Sequence, residues 1–139
     1  VLEGPLGDEL VIDKERHKAL FVGGGIGITP FLPLVVDAVE QEHIDEVKLI
    51  YGVNLEDELL YRRELEALEQ QHAKFEFIQV VAFDEGWTGE KGFVTNVMEK
   101  LDLDQNIIYM CGPKPIINAS LKKLGQLGVD EKRIRYESA

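Results

Sequence analysis

Apolar and polar positions along the chain fall into two alternating rhythms. Short runs dominated by β-branched and aromatic residues read as five strands: KALFVG (Lys18 to Gly23), VKLIYGV (Val47 to Val53), KFEFIQVVAF (Lys74 to Phe83), NIIYMCG (Asn106 to Gly112) and RIRYES (Arg133 to Ser138). Between them lie stretches of helical periodicity, roughly Phe31 to Glu42, Glu56 to Gln71, Phe93 to Leu101 and Lys114 to Leu127. In the second, Leu59, Leu60, Arg63, Leu65 and Leu68 recur near a 3.6-residue period with Glu and Gln on the other face, and Gly125 and Gly128 act as stop signals for the last. This alternation predicts a doubly wound, mostly parallel five-stranded α/β sheet with helices on both faces. The opening VLEGPLGDELVID carries two turn signals and no helix, and reads as the tail of something upstream.

The first strand runs into Gly23, Gly24, Gly25 and Gly27, followed by Thr29 and Pro30. Glycines between a strand and a helix let the backbone approach an anion closely, and the helix start attracts phosphate. Thr29 suits an N-cap and Pro30 the first helical position. In open α/β sheets ligands bind beyond the carboxyl ends of the strands, where this loop lies, so the reading is a diphosphate cradle, weighed against a purely structural turn. The GxGxxG fingerprint fails twice: Pro30 stands at the third glycine, and YGVN replaces the acidic end of the second strand. No GxxxxGK[ST] motif is present either.

Composition narrows the field. The 139 residues fit one domain, and 45% hydrophobic with 29% charged residues is ordinary for a globular protein. No apolar stretch approaches the roughly 20 residues a membrane helix needs, so no membrane insertion is expected. A net charge of -11 opposes nucleic-acid phosphates, and nucleic acid is not an expected partner. The lone cysteine, Cys111, excludes an internal disulfide and points by default to a reducing cytoplasm. The chain opens at Val1 rather than Met and reads as a processed or excised piece without a signal peptide.

Five collinear stretches, GGGIGITPFLPLV, YGVNLEDELLYRREL, DEGWTGEKGFVTNVM, YMCGPKPIINASLKKLGQLGV and RIRYES, resemble the pyridine-nucleotide half of the ferredoxin-NADP reductase family. That family includes reductase components of oxygenases, flavohaemoglobins and flavin reductases. The resemblance implies a ferredoxin reductase-like NAD(P)-binding domain at residues 15–139, preceded at 1–14 by a remnant of a flavin-binding barrel, with GPLGDEL (Gly4 to Leu10) similar to the barrel's last turn and strand. It implies that hydride passes from NADH or NADPH to FAD or FMN held by the missing upstream domain. Electrons then leave for an iron-sulfur, haem or oxygenase acceptor. Two alternatives stay open: a non-catalytic domain that senses nucleotide, and a flavodoxin-like flavin carrier.

By the same resemblance Gly24, Gly25, Gly27, Ile28, Thr29 and Pro30 lie along the cofactor's diphosphate and nicotinamide. Cys111, Gly112 and Pro113 correspond to the family's Cys-Gly-Pro, the cysteine beside the nicotinamide ring as a positioning group rather than a nucleophile. Glu137 and Ser138 match a closing segment that reaches flavin and nicotinamide; with Cys111 they are the expected catalytic group. Many members end in an aromatic residue where this chain ends in Ala139, which implies truncation, a downstream extension or a site without an aromatic lid. NADP-preferring members carry Ser-Arg after the third strand, whereas Asp84 and Glu85 stand here, and Asn54 is neutral where many relatives have arginine. Two carboxylates repel a 2′-phosphate and accept hydrogen bonds from ribose hydroxyls, so NADH is favoured. Arg62 and Arg63 read as a solvated face pairing with Glu58 or Glu66. Trp87 reads either as a contact for a cofactor's adenine or, at least as readily, as a loop anchor beside glycines, and it is not counted among the site residues. His17, His43 and His72 lack metal-ligand spacing, and no GxSxG elbow is present, so zinc and acyl-transfer chemistry are not expected.

Overall fold

The computed structural model describes residues 2–3 and 17–138. The expected remnant at 1–14, GPLGDEL included, therefore lies outside the described residues apart from Leu2 and Glu3. Among the described residues seven parallel strands form one sheet: β1 (Leu2–Glu3), β2 (Lys18–Gly24), β3 (Glu46–Val53), β4 (Phe75–Val81), β5 (Glu90–Lys91), β6 (Asn106–Gly112) and β7 (Ile134–Ser138). Their spatial order is β1-β7-β6-β2-β3-β4-β5. The five expected strands are all present; the two additions, β1 and β5, are two-residue edge pieces too short to set up a periodic pattern.

Successive residues of β2 face opposite ways, as a strand requires. Ala19 and Phe21 join a core with Phe31, Val35 and Ala38 of α1 (Phe31–Glu40) and Leu65 of α2 (Arg62–Gln71). Leu20 and Val22 join a second core with Val94 and Met98 of α3 (Val94–Met98) and Ile117 and Leu124 of α4 (Lys114–Gln126). The central strands are thus covered on both sides, which accounts for their nearly unbroken apolar runs. No helix among the described residues is long and apolar enough to cross a membrane.

The chain turns one way from β2 through β3 and β4, then returns to place β6 on the other flank of β2. That reversal opens a crevice at the carboxyl ends of β2 and β6.

Helix boundaries differ from the sequence reading at several ends: the expected Phe31 to Glu42 stops at Glu40, and the expected Phe93 to Leu101 shortens to Val94–Met98. Helix α1 starts after a 3-10 turn at Gly25–Ile28, and its N-cap is Pro30 rather than Thr29, with no side-chain cap. The expected helix Glu56 to Gln71 splits into a 3-10 turn, Glu56–Glu58, and α2, separated by Tyr61 in the left-handed region (φ 57°). The Glu58 carboxylate accepts the Leu55 N–H (2.7 Å) and caps the short turn, while the Tyr51 hydroxyl accepts the Leu60 N–H (3.1 Å), so at the break that amide finds a partner outside a helix. At the far end Gly125 lies inside α4, and Gly128 (φ 79°) ends it: the Val129 N–H donates to the Leu124 carbonyl and the Gly128 N–H to that of Gly125. Leu124 and Val129 both belong to the second core, so the stop is also packed in place.

Candidate functional site

The glycine loop and the Cys-Gly-Pro turn meet at the crevice. Gly23 pairs with Cys111 in the β2–β6 ladder, so the two strand tips end level with each other. A Cβ on Gly27 would stand 2.8 Å from the Gly112 Cα and 2.9 Å from the Cys111 carbonyl oxygen. A Cβ on Gly112 would in turn stand 3.4 Å from the Gly24 nitrogen. These glycines let two backbones touch; Gly24 also makes room for Ile116 of α4, whose Cδ1 would lie 2.5 Å from an added Cβ. Gly25 is different. Its φ is +56° and nothing lies within 4 Å of where a Cβ would be, so it turns the chain beside open space.

That space is a cleft of about 490 Å³ whose lining includes Gly25 after β2, Gly52 and Asn54 at the end of β3, Phe93 and Thr95 at the start of α3, and Pro113 and Pro115 at the start of α4. Three expected cofactor-binding residues, Gly25, Asn54 and Pro113, share it. Gly24, Gly27 and Gly112 support the loop from behind. Ile28 is fully buried in the first core, so its side chain packs rather than faces a ligand, while Thr29 and Pro30 are exposed at the start of α1.

Cys111 is 3% exposed and points into the first core, outside the cleft lining. Burial first, and then the Glu137 carboxylate, push its thiol up from the ordinary 9.0 to about 11. A thiol so placed stays protonated at neutral pH and is a poor nucleophile. Glu137 and Ser138 pair with Cys111 and Gly112 in the β6–β7 ladder, which brings the three expected catalytic residues together at one strand tip.

Asp84 lies in an adjoining groove of about 560 Å³ with Glu56, Asp57, Phe83, Glu85 and Arg62. Its carboxylate accepts the N–H groups of Glu56 (3.2 Å) and Gly86 (3.1 Å), tying the ends of β3 and β4 together. Arg62 pairs with Glu66 (3.4 Å), as the spacing suggested, but its second carboxylate is Glu56 (3.0 Å) rather than Glu58. It also donates to Gln79 (2.7 Å) and lies 5.2 Å over the ring of Trp87, so it is a held arginine rather than a solvated one. Trp87 is a loop anchor: it is buried, and its indole N–H donates to the Glu90 carbonyl (2.8 Å).

Sequence reasoning missed Phe93. It is 53% exposed, lines the cleft, and meets the 65% exposed Phe83 edge to face at 5.7 Å. Two exposed aromatic rings thus stand between cleft and groove, and the signal for them was a glycine and an aromatic residue at a helix entrance.

A family model described as an oxidoreductase NAD-binding domain matches residues 21–122. The chain is 31% identical over 122 residues to the anthranilate 1,2-dioxygenase electron transfer component of Acinetobacter baylyi, covering 86% of this chain and 35% of that protein. It is 38% identical over 120 residues to the dihydroorotate dehydrogenase B (NAD(+)) electron transfer subunit of Lysinibacillus sphaericus, covering 84% of this chain and 42% of that protein. Among solved structures, the cytochrome b5 reductase domain of Ulva prolifera nitrate reductase superposes with a TM-score of 0.77 at 25% identity, over 88% of this chain and 50% of that one. The chain spans about a third to a half of the length of the curated relatives it matches.

Proposed function

This chain belongs to the family of oxidoreductase NAD-binding domains, and from that premise we propose that it is the nucleotide-binding half of a flavin-dependent reductase. It takes NADH in preference to NADPH and works with FAD or FMN on a companion domain. The observation that carries the reading is the cleft at the carboxyl edge of the sheet, which joins Gly25, Asn54 and Pro113 from three separate strand ends.

The residues fit a dinucleotide. Gly25 leaves open the volume a side chain would fill, and the exposed Phe93 ring offers a flat apolar face suited to a heteroaromatic base. Gly25 and Pro113 would flank the diphosphate, with Gly27 and Gly112 holding the two loops in contact. When bound, the nicotinamide supplies a hydride and the companion flavin accepts it. This chain contributes orientation and exclusion of water. The neutral, buried Cys111 shapes the strand tip, and Glu137 and Ser138 on the neighbouring strand stand at the edge where a flavin domain would dock.

The preference for NADH follows from charge. Glu56, Asp57, Asp84 and Glu85 line the groove, and its one arginine is already engaged by Glu56 and Glu66. A 2′-phosphate finds no free cation there, whereas ribose hydroxyls find carboxylate acceptors. The acceptor beyond the flavin is an electron-transfer partner, an iron-sulfur, haem or oxygenase component; the dioxygenase relative, itself an electron transfer component, supports the last of these.

Calorimetric titration of the chain with NADH, NADPH and FMN tests the reading. It predicts binding of NADH, weaker binding of NADPH and none of FMN. FMN binding without NADH binding would sink it in favour of a flavin carrier. Nucleotide binding with no flavin reduction, once a flavin-binding domain is fused upstream, would favour a sensor.

A further inference from the structure

Tyr51 ends no strand, lines neither the cleft nor the groove and takes no part in the expected site, yet its hydroxyl meets three backbone groups beneath the crevice. The ring is fully buried in the first core near the end of β3. Its O–H lies 3.1 Å from the Gly25 carbonyl oxygen and 3.4 Å from that of Glu58, and its oxygen accepts the Leu60 N–H at 3.1 Å. Gly25 and Glu58 both line the cleft, on loops that follow different strands.

From this geometry we infer that Tyr51 is a positioning residue for dinucleotide binding: its hydroxyl ties the Gly25 loop to the 55–60 loop and fixes the separation of two cleft walls. The inference rests on the nucleotide-binding reading and adds a residue to it. One proton serves two carbonyls, so the phenol holds Gly25 while remaining within reach of Glu58. Gly25 has no Cβ and sits at φ +56° beside open space, so its own side chain cannot fix the loop. Anchoring its carbonyl on Tyr51 orients the Gly25–Ile26 peptide plane, and a planar trans peptide then turns the Ile26 N–H away from the phenol. Burial raises the phenol's pKa above its ordinary 10.0, opposed by the Leu60 N–H and assisted by Glu58 and Tyr61, so the donor proton is retained at neutral pH.

The test is Tyr51→Phe, which keeps the ring and removes the hydroxyl, titrated calorimetrically with NADH beside the unsubstituted chain. A lost positioning hydrogen bond raises Kd by roughly 3- to 12-fold at unchanged one-to-one stoichiometry. A merely structural role lowers the fraction of competent molecules and leaves Kd alone, and that result overturns the inference. Amide exchange of the unsubstituted chain gives a second readout that needs no variant. NADH should slow exchange at Leu60, whose N–H is held by the Tyr51 hydroxyl; unchanged exchange there overturns the inference even if Tyr51→Phe does not fold. If the unsubstituted chain binds no NADH, the nucleotide-binding reading falls and takes this inference with it; equal Kd values for the two chains remove this inference alone.

Discussion

Gly27 rests on the backbone of Gly112, with 2.8 Å between the position of an added Cβ and the Gly112 Cα. The two residues come from loops 85 positions apart in sequence, after neighbouring parallel strands. Their contact places both loops on one rim of the sheet, which a single elongated ligand needs in order to touch both. Opposite rims would have ruled such a ligand out.

Gly27→Ala and Gly25→Ala should therefore differ in kind. At Gly27 the obstructing atoms are backbone and cannot rotate aside, so the substitution parts the loops and costs about 1–3 kcal/mol of stability along with NADH binding. At Gly25 no atom of the chain obstructs, so the stability cost is the left-handed backbone alone, about 1–2 kcal/mol, while the methyl enters the cleft and weakens NADH binding. Urea denaturation and NADH titration of both variants check this; equal tolerance at Gly27 would mean that the loops do not touch.

The raised Cys111 thiol makes a pH prediction whose sign is fixed. The folded thiol titrates near 11 and the unfolded one near 9.0, so the stabilising contribution is complete below pH 9 and is lost as the pH climbs toward 11. In that window the unfolded chain has released a proton that the folded chain keeps. Denaturation midpoints should decline above pH 9, and the part of the decline between pH 9 and 10 should be absent in Cys111→Ala. Thiol alkylation of the folded chain at pH 7.5 should be slow compared with the unfolded chain.

Much of this was legible in the sequence, and the exceptions share a cause. The five strands were readable because burial on both faces leaves a continuous apolar run, as in NIIYMCG, whose every residue is buried. The start of α2 was not, because the group that satisfies the Leu60 amide is Tyr51, whose side chain arrives from another element. Glycine identity showed that close approach occurs but not what approaches: Gly25 faces open space, while Gly24 and Gly27 face Ile116 and the Cys111–Gly112 backbone. Arg62 has the i, i+4 partner its spacing suggested, Glu66, and a second in Glu56 that only the fold supplies.

Glu56→Gln should move cofactor preference. It removes the carboxylate 3.0 Å from Arg62 Nη1 and leaves Glu66 as the remaining partner, freeing one edge of the guanidinium toward the groove. The groove is open to solvent, so the change is modest: affinity for 2′,5′-ADP relative to 5′-AMP should rise roughly 2- to 5-fold, and more in low salt. Asp84→Asn added to it should raise the ratio further, because the charge is gone; the Glu56 and Gly86 amides bond different oxygens of Asp84, so the carboxamide keeps an acceptor for only one of them. An unchanged ratio in the double variant would place the 2′ position of the ribose elsewhere.

Phe93 separates ligand binding from stability better than any other lining residue. Its ring is 53% exposed, belongs to neither core cluster and meets Phe83 edge to face at 5.7 Å, so truncation forfeits little core contact. The backbone at this position is held independently, since the Phe93 N–H donates to the Asn96 carboxamide at 2.9 Å and alanine keeps that bond. Phe93→Ala should accordingly shift stability by less than about 1 kcal/mol. If a base lies on the ring, the same change removes a stacking contact worth about 1–3 kcal/mol, and Kd for NADH rises by the matching factor. Phe83→Ala, which removes only the flanking edge, should have the smaller effect. Parallel melting curves and titrations of the two variants decide it: a loss of stability equal to the loss of affinity would make Phe93 a packing residue, and an unchanged Kd would put the base outside the cleft.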